Sequence, residues 1–216
     1  MWQRPSRLTR SRPVRCASPA EDGLRLRYEL DSREVEIDDD DGRTGVLSGY
    51  LTEEVAPEGH TRPTRACILL PDAAGWRDPP VRRLADRIAV FCACLVLVPD
   101  LLRTSAPWPA ELLSNAGRPM LGDDAYASWL AGQPPQRVAS DVRTSLIYLR
   151  ADHRVGPVGL FGAGLGGGQV LASLSTPSIA AAAVLCPTSY DTAHLRGLDA
   201  PLLCVFGLDE RGDEQA

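Results

Sequence analysis

The chain has 216 residues, 44% of them apolar, and a formal net charge of −5, which suits one ordinary domain with an extension. The acidic balance argues against a nucleic-acid-binding surface, and no apolar run approaches the roughly 20 residues of a membrane span. Every basic residue is Arg and none is Lys, a usage better explained by a GC-rich coding sequence than by function.

Residues 1–20 carry Arg4, Arg7, Arg10, Arg12 and Arg15, several hydroxyls and no acid. That is the composition of an organelle transit peptide, and Val14-Arg15-Cys16-Ala17 resembles a plastid processing site. A plastid destination is therefore expected, with mitochondrial import or a basic tail on a cytoplasmic protein as the alternatives. Residues 21–44 include Asp38-Asp39-Asp40-Asp41 before Gly42. Four consecutive acids point in different directions, so the run reads as a solvated turn rather than a metal site. This segment is expected to be poorly ordered or a hairpin. One α/β domain is expected over residues 45–216.

Within that domain residues 47–51 alternate like a half-buried strand. Short, wholly apolar runs then recur at 66–70, 94–98, 158–161, 182–185 and 202–206, the pattern of parallel strands covered on both faces. Helical spacing appears in Val81, Leu84, Ala85, Ile88 and Ala89, and again in Val138, Val142, Leu146 and Leu149. A third helix is expected to open at Gly166 and run to about Ser175. Strand alternating with helix implies right-handed crossovers and an open, mostly parallel sheet with helices on both faces. The six Cys lack zinc-ligand spacing, Cys92-Ala93-Cys94 being too tight for a knuckle. A reducing compartment without a disulfide framework is expected.

Ligands in such sheets bind beyond the carboxyl ends of the strands. The segment after the 158–161 run decides most. Strand, Gly162-Ala163-Gly164-Leu165-Gly166, helix is the arrangement of a nucleophile elbow, whose glycines permit a turn too tight for a Cβ. Its central residue projects over the sheet at a helix N-terminus, which stabilises a thiolate or alkoxide. Here that residue is Gly164, which has nothing to attack with.

These segments together resemble the dienelactone hydrolase (carboxymethylenebutenolidase-like) family of the α/β-hydrolase fold. The resemblance runs through Leu70-Pro71-Asp72-Ala73-Ala74-Gly75-Trp76, Ala85-Asp86-Arg87-Ile88-Ala89, Leu97-Val98-Pro99-Asp100-Leu101-Leu102-Arg103 with Pro107-Trp108, the elbow, and Pro201 to Asp209. It covers roughly residues 45–210 and implies hydrolysis of carboxylic esters or lactones without metal or organic cofactor. Carried onto these positions, it makes Gly164 the degenerate nucleophile position and Asp209 the triad acid. The N–H groups of Leu165 and Ala73 become the oxyanion donors, and Asp72 the acid that communicates with the nucleophile. Arg103, with Trp76 and Trp108, becomes substrate-binding, Arg103 as a bidentate carboxylate donor.

The sequence departs from the family at Gly164 and in its histidines. Triad order in this fold is nucleophile, acid, His, whereas His60, His153 and His194 all precede Asp209. A C-terminally truncated, inactive hydrolase is the resulting expectation, because loss of any triad member removes most of the rate. Two other readings stand beside it. The scaffold could bind a small carboxylate without turning it over, or Gly162-x-Gly164-x-x-Gly167 could hold a dinucleotide. The latter lacks the acid that should end the next strand, which closes in Cys186-Pro187.

Overall fold

Alternate residues of the apolar runs feed two different cores, which is why the runs are unbroken. In the computed structural model, Ile68 and Leu70 of one strand and Leu95 and Leu97 of its neighbour belong to one buried cluster. Leu69, Val96 and Val98, one position along, belong to another. A strand sends successive side chains to opposite faces, so a sheet covered on both sides needs apolar residues at every position. The structure describes residues 28–38, 45–55, 62–109, 112, 124–188, 190–196, 198 and 200–207.

Among the described residues, seven strands form one sheet. They are β1 (Leu30–Ile37), β2 (Leu47–Glu54), β3 (Ala66–Leu70), β4 (Leu95–Pro99), β5 (Val158–Ala163), β6 (Ile179–Leu185) and β7 (Leu202–Val205). The spatial order is β1-β2-β4-β3-β5-β6-β7. β1 and β2 pair antiparallel, as do β2 and β4; the remaining pairs are parallel. This is the mixed, mostly parallel sheet of an α/β-hydrolase fold.

Helix α1 (Pro79–Cys92) covers one face, and α3 (Pro135–Ala151) with α4 (Gly164–Ser173) covers the other. Prolines open α1 and α3, where a missing N–H removes no intrahelical bond. A further helix, α2 (Asp124–Ala131), lacks a strong apolar period and was not expected.

Three details differ from the pattern-based reading. The sheet begins at Leu30, ahead of the boundary placed at residue 45, because β1 forms a hairpin with β2 in continuous register from Leu30↔Glu54 to Ile37↔Leu47. The hairpin tip with Asp39, Asp40 and Asp41 lies outside the described residues. β2 is buried almost throughout rather than alternately, since it lies between two strands and beneath α1. At the other margin, Leu203, Val205 and Phe206 are exposed, and β7 is the outermost described strand.

The cysteines Cys67, Cys92, Cys94, Cys186 and Cys204 are all free thiols, and Cys16 lies outside the described residues. No group of His, Cys, Asp or Glu among the described residues could hold a metal ion. No described helix is long and apolar enough to cross a membrane.

Candidate active site

The turn between β5 and α4 is built as the sequence pattern requires. Gly164 sits at φ +54, the left-handed conformation of a residue thrust out between strand and helix. The flanking glycines are there for space. A Cβ on Gly162 would fall 2.5 Å from the carbonyl oxygen of Gly166, and one on Gly166 would fall 2.1 Å from the carbonyl oxygen of Leu70. Helix α4 starts at Gly164 rather than at Gly166. The Thr188 amide donates to the Gly164 carbonyl at 2.9 Å and ties the elbow to the loop after β6.

The space over the elbow belongs to Asp72, which leaves the end of β3. One carboxylate oxygen, Oδ1, accepts from the Ala73 amide at 2.8 Å and from the Leu165 amide at 3.0 Å. These are the two N–H groups that the family resemblance makes the oxyanion donors, and the structure does converge them on one point. The occupant of that point is a side chain of the protein itself. The other oxygen, Oδ2, lies 2.7 Å from where a Cβ on residue 164 would stand, and the carboxyl carbon 2.9 Å. Asp72 therefore fills the place that a nucleophilic side chain would need. Burial pushes its pKa up from 3.8; the Ala73 and Leu165 amides pull it back down, and the Asp78 carboxylate adds to the rise.

An aromatic wall borders this carboxylate. Ala73, Trp108 and Leu165 form a small buried cluster with Tyr126, Trp129 and Leu130 packed on it. The Trp108 amide donates to the Ala73 carbonyl at 3.0 Å. Its ring meets Tyr126 edge-on at 5.1 Å and Trp129 at 5.8 Å between centroids. Desolvation, with a smaller contribution from Asp72, pushes the Tyr126 phenol up to about 12. Tyr126 and Trp129 were missed from sequence because α2 was. An aromatic pair three apart, Tyr126 and Trp129, was the available signal.

The other expected site residues divide. Trp108 lies in this wall. Trp76 does not: it is buried in the core under α1, with the Arg77 and Arg82 guanidinium groups over its ring. Packing accounts for its burial. Arg103 is committed elsewhere. Its guanidinium makes a two-pronged pair with Asp141 of α3, a residue with no exposed surface, and also donates to the Val46 carbonyl. The Arg103 amide and that of Leu102 are capped by Asp100 Oδ1. Asp141 had no sequence signal beyond interrupting an apolar helix face. Asp209 and His60 lie outside the described residues. His153 is paired with the Tyr148 hydroxyl at the end of α3, and His194 lies in a 3-10 turn at Thr192–Leu195.

Sheet order, elbow and converging amides define an α/β-hydrolase-type protein, and similarity narrows the class. A carboxymethylenebutenolidase homolog of Mus musculus is 26% identical over 190 residues, 87% of this chain and 68% of that protein. A homolog of Xenopus tropicalis is 22% identical over 152 residues, 70% of this chain and 53% of that protein. The match thus spans about half the length of the Xenopus relative. Among solved structures, a dienelactone hydrolase-like promiscuous phosphotriesterase from metagenomic libraries superposes with a TM-score of 0.61 at 19% identity. That match covers 86% of this chain and 72% of that one. No family model matches the chain. The chain has the α/β-hydrolase fold and is similar to carboxymethylenebutenolidase homologs and dienelactone hydrolases.

Proposed function

We propose that this chain is an ester- or lactone-hydrolase scaffold from which acyl transfer has been lost. One observation carries the reading: the elbow holds a glycine, and the Asp72 carboxylate occupies both the nucleophile's space and the oxyanion amides. In the family's chemistry a thiolate or alkoxide adds to the carbonyl carbon, and the amides hold the charge that develops on oxygen. Here the attacking atom is missing. A negative charge also stands where the oxyanion would form, so a bound ester would meet repulsion at the point meant to stabilise its transition state.

The same carboxylate weighs against both other readings. A pyrophosphate or a small carboxylate at the N-terminus of α4 would have to displace Asp72 from the Leu165 amide. Asp72 does not act as a nucleophile towards the carbonyl either, because the donors that would stabilise the adduct are spent on it.

The test is hydrolysis of p-nitrophenyl acetate and of a dienelactone by the full chain, compared with buffer. No rate above background is expected. Saturable turnover that survives mutation of the exposed Cys92 would overturn the reading. The basic, acid-free residues 1–20 support a plastid destination for this scaffold, which an N-terminal fusion to a fluorescent protein would test.

A further inference from the structure

The elbow has changed the sign of its charge preference. In the arrangement that the resemblance implies, an arginine in the loop after β4 would offer a cation to the substrate. Arg103 instead pairs with the buried Asp141. What remains at the elbow is a carboxylate. Oδ1 of Asp72 is satisfied by two amides, whereas Oδ2 has no hydrogen-bond donor among the described residues. Among the described residues, the charged side chain that acts on this carboxyl is Asp78, of like sign. A partly buried carboxylate with no donor on this oxygen favours a cation beside it.

The wall beside it is aromatic, formed by Trp108, Tyr126 and Trp129 over Ala73 and Leu165. Aromatic faces attract organic cations and accept their alkyl groups. The wall also carries unused polar atoms. Trp108 is 6% exposed, and its Nε1 has no partner among the described residues; neither has the Tyr126 hydroxyl. Buried donors are ordinarily paired, so these two point to a ligand with an acceptor oxygen or to ordered water.

From these features we propose that the Gly164 elbow, with Asp72 Oδ2 and the Trp108–Tyr126–Trp129 wall, is a binding site for a small organic ammonium ion. The ammonium N–H meets Oδ2, and its alkyl groups lie against the rings. A hydroxyl or ester oxygen on the ligand would take the Trp108 Nε1 proton. Carboxylates are excluded by like charge and because Asp72 already holds the amides. This inference deepens the proposed function and rests on its reading of the Gly164 site.

The test is titration of the full chain with trimethylammonium chloride, with sodium acetate at matched ionic strength as control, followed by tryptophan fluorescence and calorimetry. Saturable binding of trimethylammonium and none of acetate is expected. Asp72→Asn, which keeps an acceptor for both amides, should weaken binding by at least about tenfold. Trp129→Leu, at the half-buried edge of the wall, should weaken it as well, with far-UV circular dichroism confirming that both variants fold. Absence of saturable ammonium binding, equal binding of acetate, or undiminished binding by folded Asp72→Asn would each overturn the proposal. These outcomes are separate from the ester assay: turnover would sink the loss of catalysis, whereas an inert chain that ignores trimethylammonium would sink the ammonium site alone.

Discussion

Putting a side chain back at the elbow should damage the protein before it restores any chemistry. In Gly164→Ala the new Cβ would stand 2.7 Å from Asp72 Oδ2 and 2.9 Å from its carboxyl carbon, well inside contact distance. Asp72 must swing away from the Ala73 and Leu165 amides. Residue 164 also sits at φ +54, where an L-residue costs roughly 1–2 kcal/mol relative to glycine. A hydrogen bond to a charged acceptor is worth about 1.5–3 kcal/mol. The displaced carboxylate regains water, so the lower end applies to each of the two bonds, and the whole loss should be about 4–5 kcal/mol. That is a large part of a typical stability of about 5–15 kcal/mol. Urea unfolding of parent, Gly164→Ala, Asp72→Ala and the double variant gives the assay. Because the two sites collide, the double variant should lose less than the singles together, with a coupling of about 1–3 kcal/mol. A Gly164→Ala protein within about 0.5 kcal/mol of the parent, or an additive cycle, would refute the claim that Asp72 fills this space. By the same reasoning Gly164→Cys alone should not yield an esterase.

Three further outcomes follow from the geometry. Burial raises the folded-state pKa of Asp72 above 3.8, so its contribution is fully present below that value and lost as pH rises through the folded pKa. Asp72→Asn should therefore gain stability relative to the parent as pH rises above about 4 through the folded pKa of Asp72, read from urea midpoints at several pH values. Arg103→Gln leaves Asp141 buried without its partner and should cost about 3–5 kcal/mol, whereas a solvated substrate-binding arginine would change stability little; chemical denaturation distinguishes the two. Fused to a fluorescent protein, residues 1–20 should direct it to plastids in transfected leaf cells, and diffuse cytoplasmic signal would remove the targeting reading.

Much of the fold was legible because burial on both faces writes itself as unbroken apolar runs. β3, β4, β5, β6 and β7 fall on those runs to within a few residues. β1 was hidden because Leu30–Ile37 mixes charged and apolar residues at a sheet margin, where one face stays wet and the signal resembles a polar loop. α2 was hidden for a related reason: none of its residues is fully buried, so no core-facing stripe marks it.

The elbow was readable from glycine spacing alone, since only a missing Cβ fits at Gly162 and Gly166. What occupies the elbow was not. That Asp72 turns onto the Ala73 and Leu165 amides depends on a contact 93 positions apart in the chain, and nothing local to either segment encodes it. The pairing of Arg103 with Asp141 is of the same kind. A loop arginine and a helix aspartate 38 residues on carry no mark of one another in sequence, yet their pairing removes the cation that the family pattern would assign to the site.

Asp72 holds the two amides that would otherwise serve an oxyanion. The most direct measurement is the pair of 1H–15N backbone resonances of Ala73 and Leu165 in the parent and in Asp72→Ala. If the carboxylate is their shared acceptor, both amide protons should resonate well downfield in the parent. Both should then move upfield together in the variant, while amides across the sheet stay in place. Resonances of Ala73 and Leu165 that remain where they were would show that the amides are not held by Asp72, and the account of this site would fall.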